Sequence, residues 1–132
     1  MNPEDLAQIH NCAALYGHVI DHHEWERLDE VYADDGVYDG TATGSTRHQG
    51  LDAVRTYLST TPQPLVHHVT NIHVTFADDG QRATGRSKWF VVRPNMSVAS
   101  GYYQDVWTKK AGQWRLQERA SFRLTPTPPP DA

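Results

Sequence analysis

Around Pro62 and Pro64 the hydrophobic pattern of this chain changes period, and that change restricts its fold more than any other feature. Before the prolines, apolar residues recur at helical spacing. Leu6, Ile9, Ala13, Tyr16 and Ile20 make one buried stripe, introduced by Asn2 as a cap, Pro3 in the first turn and the acidic pair Glu4 and Asp5. A second helical pattern runs through Trp25, Leu28, Val31 and Tyr32 and is expected to stop at Asp34-Asp35-Gly36. A short strand, Val37-Tyr38-Asp39, and a loop rich in Gly and Thr precede a third helix carrying Leu51, Val54, Tyr57 and Leu58. After the prolines the period becomes two. Residues 65–76, 82–93, 97–109 and 113–124 read as four strands, joined at Asp78-Asp79-Gly80, Arg93-Pro94-Asn95 and Ala111-Gly112-Gln113. Helices first and antiparallel strands second predict an α+β fold, with three N-terminal helices packed on one face of a curved, mostly antiparallel sheet.

The chain's 132 residues suit one domain, expected over residues 1–125, followed by a Pro-rich extended tail at 126–132. An apolar fraction of 38% and a charged fraction of 21% provide for a core. A net charge of −4 offers no general attraction to phosphate backbones or anionic lipid, so neither nucleic acid nor membrane is an expected partner. No apolar run reaches the ~18 residues of a membrane span. The polar, acidic start Met-Asn-Pro-Glu-Asp does not read as a signal peptide, and a cytoplasmic location is expected. The single Cys12 has no partner for an intramolecular disulfide and reads as a core thiol.

Several elements occur in an order that resembles SnoaL-like domains of the nuclear-transport-factor-2-like superfamily. These are Tyr16-x4-Asp21, then Trp25-x2-Leu28-x3-Tyr32-Ala33-Asp34-Asp35, His67-His68-Val69-Thr70-Asn71, Gly101-Tyr102-Tyr103-Gln104-Asp105, and Gly112-Gln113-Trp114-Arg115 with Arg119. The resemblance spans nearly the whole chain and implies a cone-shaped fold around a pocket. It does not imply one activity, because the cone hosts dehydratases, isomerases, cyclases, hydrolases and binders. Two catalytic patterns follow from it. In the dehydratase pattern, Asp21 and His67 match an aspartate–histidine pair and Tyr16 a tyrosine. The further acid–base group of that pattern falls near Ser87, and residues 81–104 contain no carboxylate. In the ketosteroid isomerase pattern Tyr16 matches the tyrosine, Asp39 lies near the base position and Asp105 near the position of the protonated acid.

The residues also have readings of their own. Tyr16 belongs to the helical stripe, so its ring points inward either as core or as a pocket hydroxyl. Asp21 follows the helix as a turn residue, or orients a histidine. His67 shares a strand face with Val69, Asn71, His73 and Thr75, and His68 with Thr70, Ile72, Val74 and Phe76; periodicity leaves open which face lines the pocket. With a three-residue turn at 111–113, Asp105 and Arg119 stand directly opposite as a cross-strand pair, although Arg119 is also a candidate ligand for a carbonyl or acidic group. Arg115, Arg119 and Arg123 are expected on one face of the last strand, and Trp114, Leu116, Ala120, Phe122 and Leu124 on the other. His18 and His22 have i,i+4 spacing but lack a third ligand, so no metal is expected.

The aromatic residues, Trp89 and Tyr102 among them, suit a cavity for a flat, ring-containing hydrophobic molecule or serve as core. The expected site thus has Tyr16, Asp21 and His67 as catalytic groups, with Asp39, Asn71, Trp89, Tyr102, Asp105 and Arg119 toward the substrate. The expected activity is a cofactor-independent lyase or isomerase, acting in a homodimer or higher homo-oligomer. The alternative is a non-catalytic ligand-binding or oligomerisation module of the same fold.

Overall fold

A computed structural model describes residues 2–125; the tail expected at 126–132 lies outside them. The order of elements is α1 (Pro3–Asp21), a 3-10 segment (Trp25–Glu30), β1 (Tyr32–Asp39), a 3-10 turn (Thr41–Thr43), β2 (Arg47–Gln49), α2 (Leu51–Thr60), β3 (Val66–Phe76), β4 (Arg82–Val92), β5 (Val98–Lys110) and β6 (Gln113–Arg123). One six-stranded sheet in the order β2-β1-β6-β5-β4-β3 carries the helices on its concave face. All neighbours are antiparallel except β1 and β6.

α1 starts as its sequence dictates: Asn2 accepts the Glu4 amide at 2.9 Å and Pro3 fills the first turn. Its stripe buries Ile9, Ala13, Tyr16 and Ile20 against Trp107, Trp114 and Leu116 of the sheet. Asp5 fastens this end, taking hydrogen bonds from the Trp114 indole at 2.9 Å and the Lys109 ammonium at 3.0 Å.

Of the three helices expected, two are α-helices; the middle one is a 3-10 segment of six residues. Its C-terminal half is claimed by the sheet. Val31 accepts the Leu116 amide at 2.7 Å and β1 begins at Tyr32, so a strand already runs where the helical pattern pointed. Asp34-Asp35-Gly36 is accordingly no terminator but an irregularity within β1, where the pairing with β6 slips between Tyr32 and Val37. Gly36 is needed there, since a Cβ would stand 2.9 Å from both the Ala33 carbonyl and the Tyr32 ring.

The four long strands fall where the alternation put them, but bulges change which side chains face inward. In β3 the register with β4 slips between Thr70 and His73, and Asn71 adopts φ +54°. The single extra residue reverses the parity, so His67 and Val69 face the core before it, and Ile72, Val74 and Phe76 after it. In β6 the turn is two residues, Ala111-Gly112, both with positive φ, rather than three. One residue of slack at Gln117 compensates, because Trp107 pairs Leu116 while Val106 pairs Glu118. Asp105 therefore still meets Arg119. The same bulge puts Arg119, Ser121 and Arg123 on the concave side with Trp114 and Leu116, against the expected separation of the arginines from the apolar face.

β5 contains a position that admits only glycine. A Cβ on Gly101 would overlap the Trp89 indole and the Phe122 carbonyl. Gly101→Ala is expected to cost about 1–3 kcal/mol through overpacking, read as a lower urea midpoint at unchanged slope. Trp89 should move with it, so an unaltered tryptophan emission spectrum would contradict this account.

Candidate active site

The concave face closes around a cavity of about 260 Å³, floored by Tyr16 and Tyr103, walled by Trp89, Val91, Tyr38 and Tyr57, and rimmed by Ser45, Gln63 and Arg123. His67 reaches it from β3, and its neighbour on α1 explains how. A Cβ on Gly17 would lie 3.1 Å from the His67 carbonyl, so glycine lets strand and helix approach closely. One turn further, the Asp21 carboxylate accepts the His67 backbone amide at 2.9 and 3.1 Å and stands 2.6 Å from its Nδ1. Asp21 ends α1, where a negative charge opposes the helix dipole; the N–H groups of His67 are what offset that placement. Both side chains are about one-tenth exposed. With the carboxylate accepting a hydrogen bond from Nδ1–H, Nε2 carries the lone pair and is the ring nitrogen left for the cavity. His68 points the other way and stacks on Phe90 at 4.4 Å.

Tyr16 stands edge-on to His67 at 6.4 Å and to Tyr103 at 6.2 Å. Burial, reinforced by the neighbouring hydroxyls of Tyr103, Tyr32 and Tyr38, pushes its pKa well above the ordinary phenol value, with Arg119 working in the opposite direction. Tyr16 is therefore a neutral hydrogen-bond donor throughout the useful pH range. Beneath it Arg119, fully buried, forks onto Asp105 with two bonds of 2.9 Å, and its guanidinium lies 3.9 Å from the Tyr103 ring centre and 4.6 Å from that of Tyr16. Burial disfavours the guanidinium charge, but the Asp105 carboxylate outweighs it and holds the Arg119 pKa above its usual value.

Tyr16, Asp21, His67 and Trp89 thus converge, with Asp105 and Arg119 as a sealed pair below the floor. Three other expected residues are elsewhere. Asn71, at the β3 bulge, and Tyr102, stacked on Phe122 at 4.8 Å and topped by Lys88, lie on the outer face of the sheet. Asp39 faces away and receives the amide and hydroxyl of Thr41, which lower its pKa. The ketosteroid isomerase pattern is therefore not assembled. Its base position turns from the cavity, and its acid position is an acceptor already filled by Arg119.

Ser87, where the dehydratase pattern carries another acid–base group, is buried with an unpartnered hydroxyl. Among the described residues no three His, Cys, Asp or Glu side chains group as metal ligands, and His18 and His22 merely stack at 6.0 Å. No helix among them is long and apolar enough to cross a membrane. Tyr38, Tyr57 and Tyr103 of the cavity belong to the aromatic set expected as cavity or core, whereas Ser45, Ser121 and Arg123 are additions that only the structure shows. Inward helical spacing marked Tyr57, whereas Ser121 and Arg123 owe their position to the β6 bulge.

Solved structures share this architecture. A cystatin-like-fold protein of unknown function from Nostoc punctiforme superimposes with a TM-score of 0.82 at 22% identity, over 97% of both chains. Rv3472 of Mycobacterium tuberculosis, also of unknown function, gives 0.78 at 24%, over 96% of this chain and 78% of its own. A Novosphingobium aromaticivorans protein provisionally assigned as a scytalone dehydratase gives 0.76 at 22%, over 92% and 85%. No curated protein sequence matches the chain. The SnoaL-like domain family profile, however, matches residues 2–120, and the chain belongs to that family.

Proposed function

We propose that the chain is a cofactor-independent lyase or isomerase that moves a proton on a small ring-bearing ketone. The observation that carries this reading is the Asp21–His67 contact of 2.6 Å, which leaves Nε2 free in a cavity that Tyr16 also lines. His67 Nε2 takes a proton alpha to the carbonyl; Asp21 steadies the imidazolium that forms. Tyr16 donates to the carbonyl oxygen as negative charge develops there. The imidazolium then returns the proton at another carbon, giving double-bond migration, or to a departing hydroxyl, giving loss of water. The likeness to a structure provisionally assigned as a dehydratase accords with this chemistry without choosing between the two outcomes.

The test is exchange of α-hydrogens of one- and two-ring ketones such as 2-tetralone in deuterated buffer, followed by NMR. The protein should accelerate exchange, and Tyr16→Phe should lower the acceleration at least about tenfold while melting stays within a few degrees. The alternative, a module that binds without catalysis, draws on the buried, unpartnered hydroxyl of Ser87, which supplies no second acid or base. Ketones that bind but exchange no faster than in buffer would decide for it.

A further inference from the structure

The polar groups of the cavity are not evenly distributed. Among the described residues no aspartate or glutamate lines it, although the chain as a whole carries a net charge of −4. The one permanently charged lining residue among them is Arg123, at the exposed end of β6. Arg119, two positions earlier on the same inward row, has its charge matched by Asp105. None of the ion pairs formed among the described residues involves Arg123. Asp21 stands behind His67 and Asp105 is matched by Arg119, so Arg123 is the charge that faces the cavity mouth, and its planar guanidinium matches a carboxylate in shape as well as charge.

Size adds a second constraint. A cavity of about 150 Å³ accommodates one benzene ring, so a volume of about 260 Å³ fits one ring or two fused rings, with anything longer passing the rim. Tyr16 is buried at the floor, while His67 enters from β3 on one side and exposed Arg123 from β6 on the other, which sets a direction for the ligand. We infer that the preferred ligand is a one- or two-ring keto acid, with its ketone on Tyr16 and His67 and its carboxylate on Arg123. This rests on the reading of the cavity as the ketone site and adds to it a charge, a size and an orientation.

The test compares 6-acetyl-2-naphthoate with 2-acetylnaphthalene, which share ring and ketone and differ in the carboxylate, by titration calorimetry at low salt. The acid should bind about tenfold more tightly, as a partly exposed charge-assisted contact allows. Arg123→Gln should erase that preference while changing the affinity of the neutral ketone less than twofold. Arg123→Lys should restore part of it, and 0.5 M salt should shrink it in the native protein. An acid that binds no better than the ketone, or a preference that survives Arg123→Gln, overturns the inference and leaves the ketone site standing. If neither compound binds, or if His67→Ala and Trp89→Ala leave both affinities unchanged, the cavity reading falls and this inference with it.

Discussion

Asp105→Ala is expected to destabilise the fold by about 3–5 kcal/mol, the cost of leaving a buried charge without its partner. At this chain length that corresponds to a fall in melting temperature of roughly 10–20 °C. The size of the effect follows from how completely Arg119 is enclosed. It has no solvent exposure, both of its bonds to carboxylate go to Asp105, and its remaining nitrogen, Nη1, already lacks a partner. Removing Asp105 leaves, among the described residues, chiefly the Tyr103 and Tyr16 rings as compensation, and cation–π contact is worth a small part of an ion pair. Arg119→Met should cost less than Asp105→Ala, because it removes the charge and keeps an apolar stem against the two rings. The double variant should be more stable than Asp105→Ala alone, giving a coupling energy above about 1 kcal/mol in a denaturant cycle. A loss below about 1 kcal/mol for Asp105→Ala would show that water reaches Arg119 and that the floor of the cavity is not sealed.

That pair also shows what could be read in the sequence and what could not. The Asp105–Arg119 pairing emerged from counting across an assumed three-residue turn. The protein reaches the same pairing by a two-residue turn and a bulge at Gln117. Turn residues such as Gly112 and Gly80 announce themselves because they supply positive φ, so strand ends were legible. Bulges carry a much weaker signal, and each reverses every side chain beyond it. The β3 bulge that parts His67 from Ile72, Val74 and Phe76 falls at Asn71, a residue type that tolerates left-handed backbone. Helical periodicity placed Tyr16 inside without ambiguity. It misled at Val31 and Tyr32, where pairing with Leu116 outweighed a short helical pattern that no cap secured. The choice between His67 and His68 was tertiary, resting on Gly17 and on where α1 ends.

Asp21→Asn is expected to lower turnover about 10³–10⁴-fold while leaving the fold intact. The native carboxylate has two tasks, accepting the backbone amide of His67 and fixing its ring through Nδ1. An asparagine oxygen can keep the first bond, so the start of β3 stays on α1 and melting should shift by only a few degrees. Its amide nitrogen then faces Nδ1 as a donor, and the ring answers by moving its proton to Nε2. The nitrogen left for the cavity then carries a hydrogen and has no lone pair for substrate, the wrong-tautomer penalty that aspartate-to-asparagine changes impose on triad histidines. His67→Ala removes the base altogether and should cost at least about 10²-fold. The two residues act as one unit, so the double variant should be little slower than the slower single one. Substrate affinity should hold in Asp21→Asn, because Asp21 touches His67 and not the ligand, which places the loss in kcat rather than KM. Independent, multiplying losses would break the link between Asp21 and His67. Full activity in Asp21→Asn would mean that neither the tautomer nor the imidazolium matters, and that proton transfer at this cavity is the work of some other group.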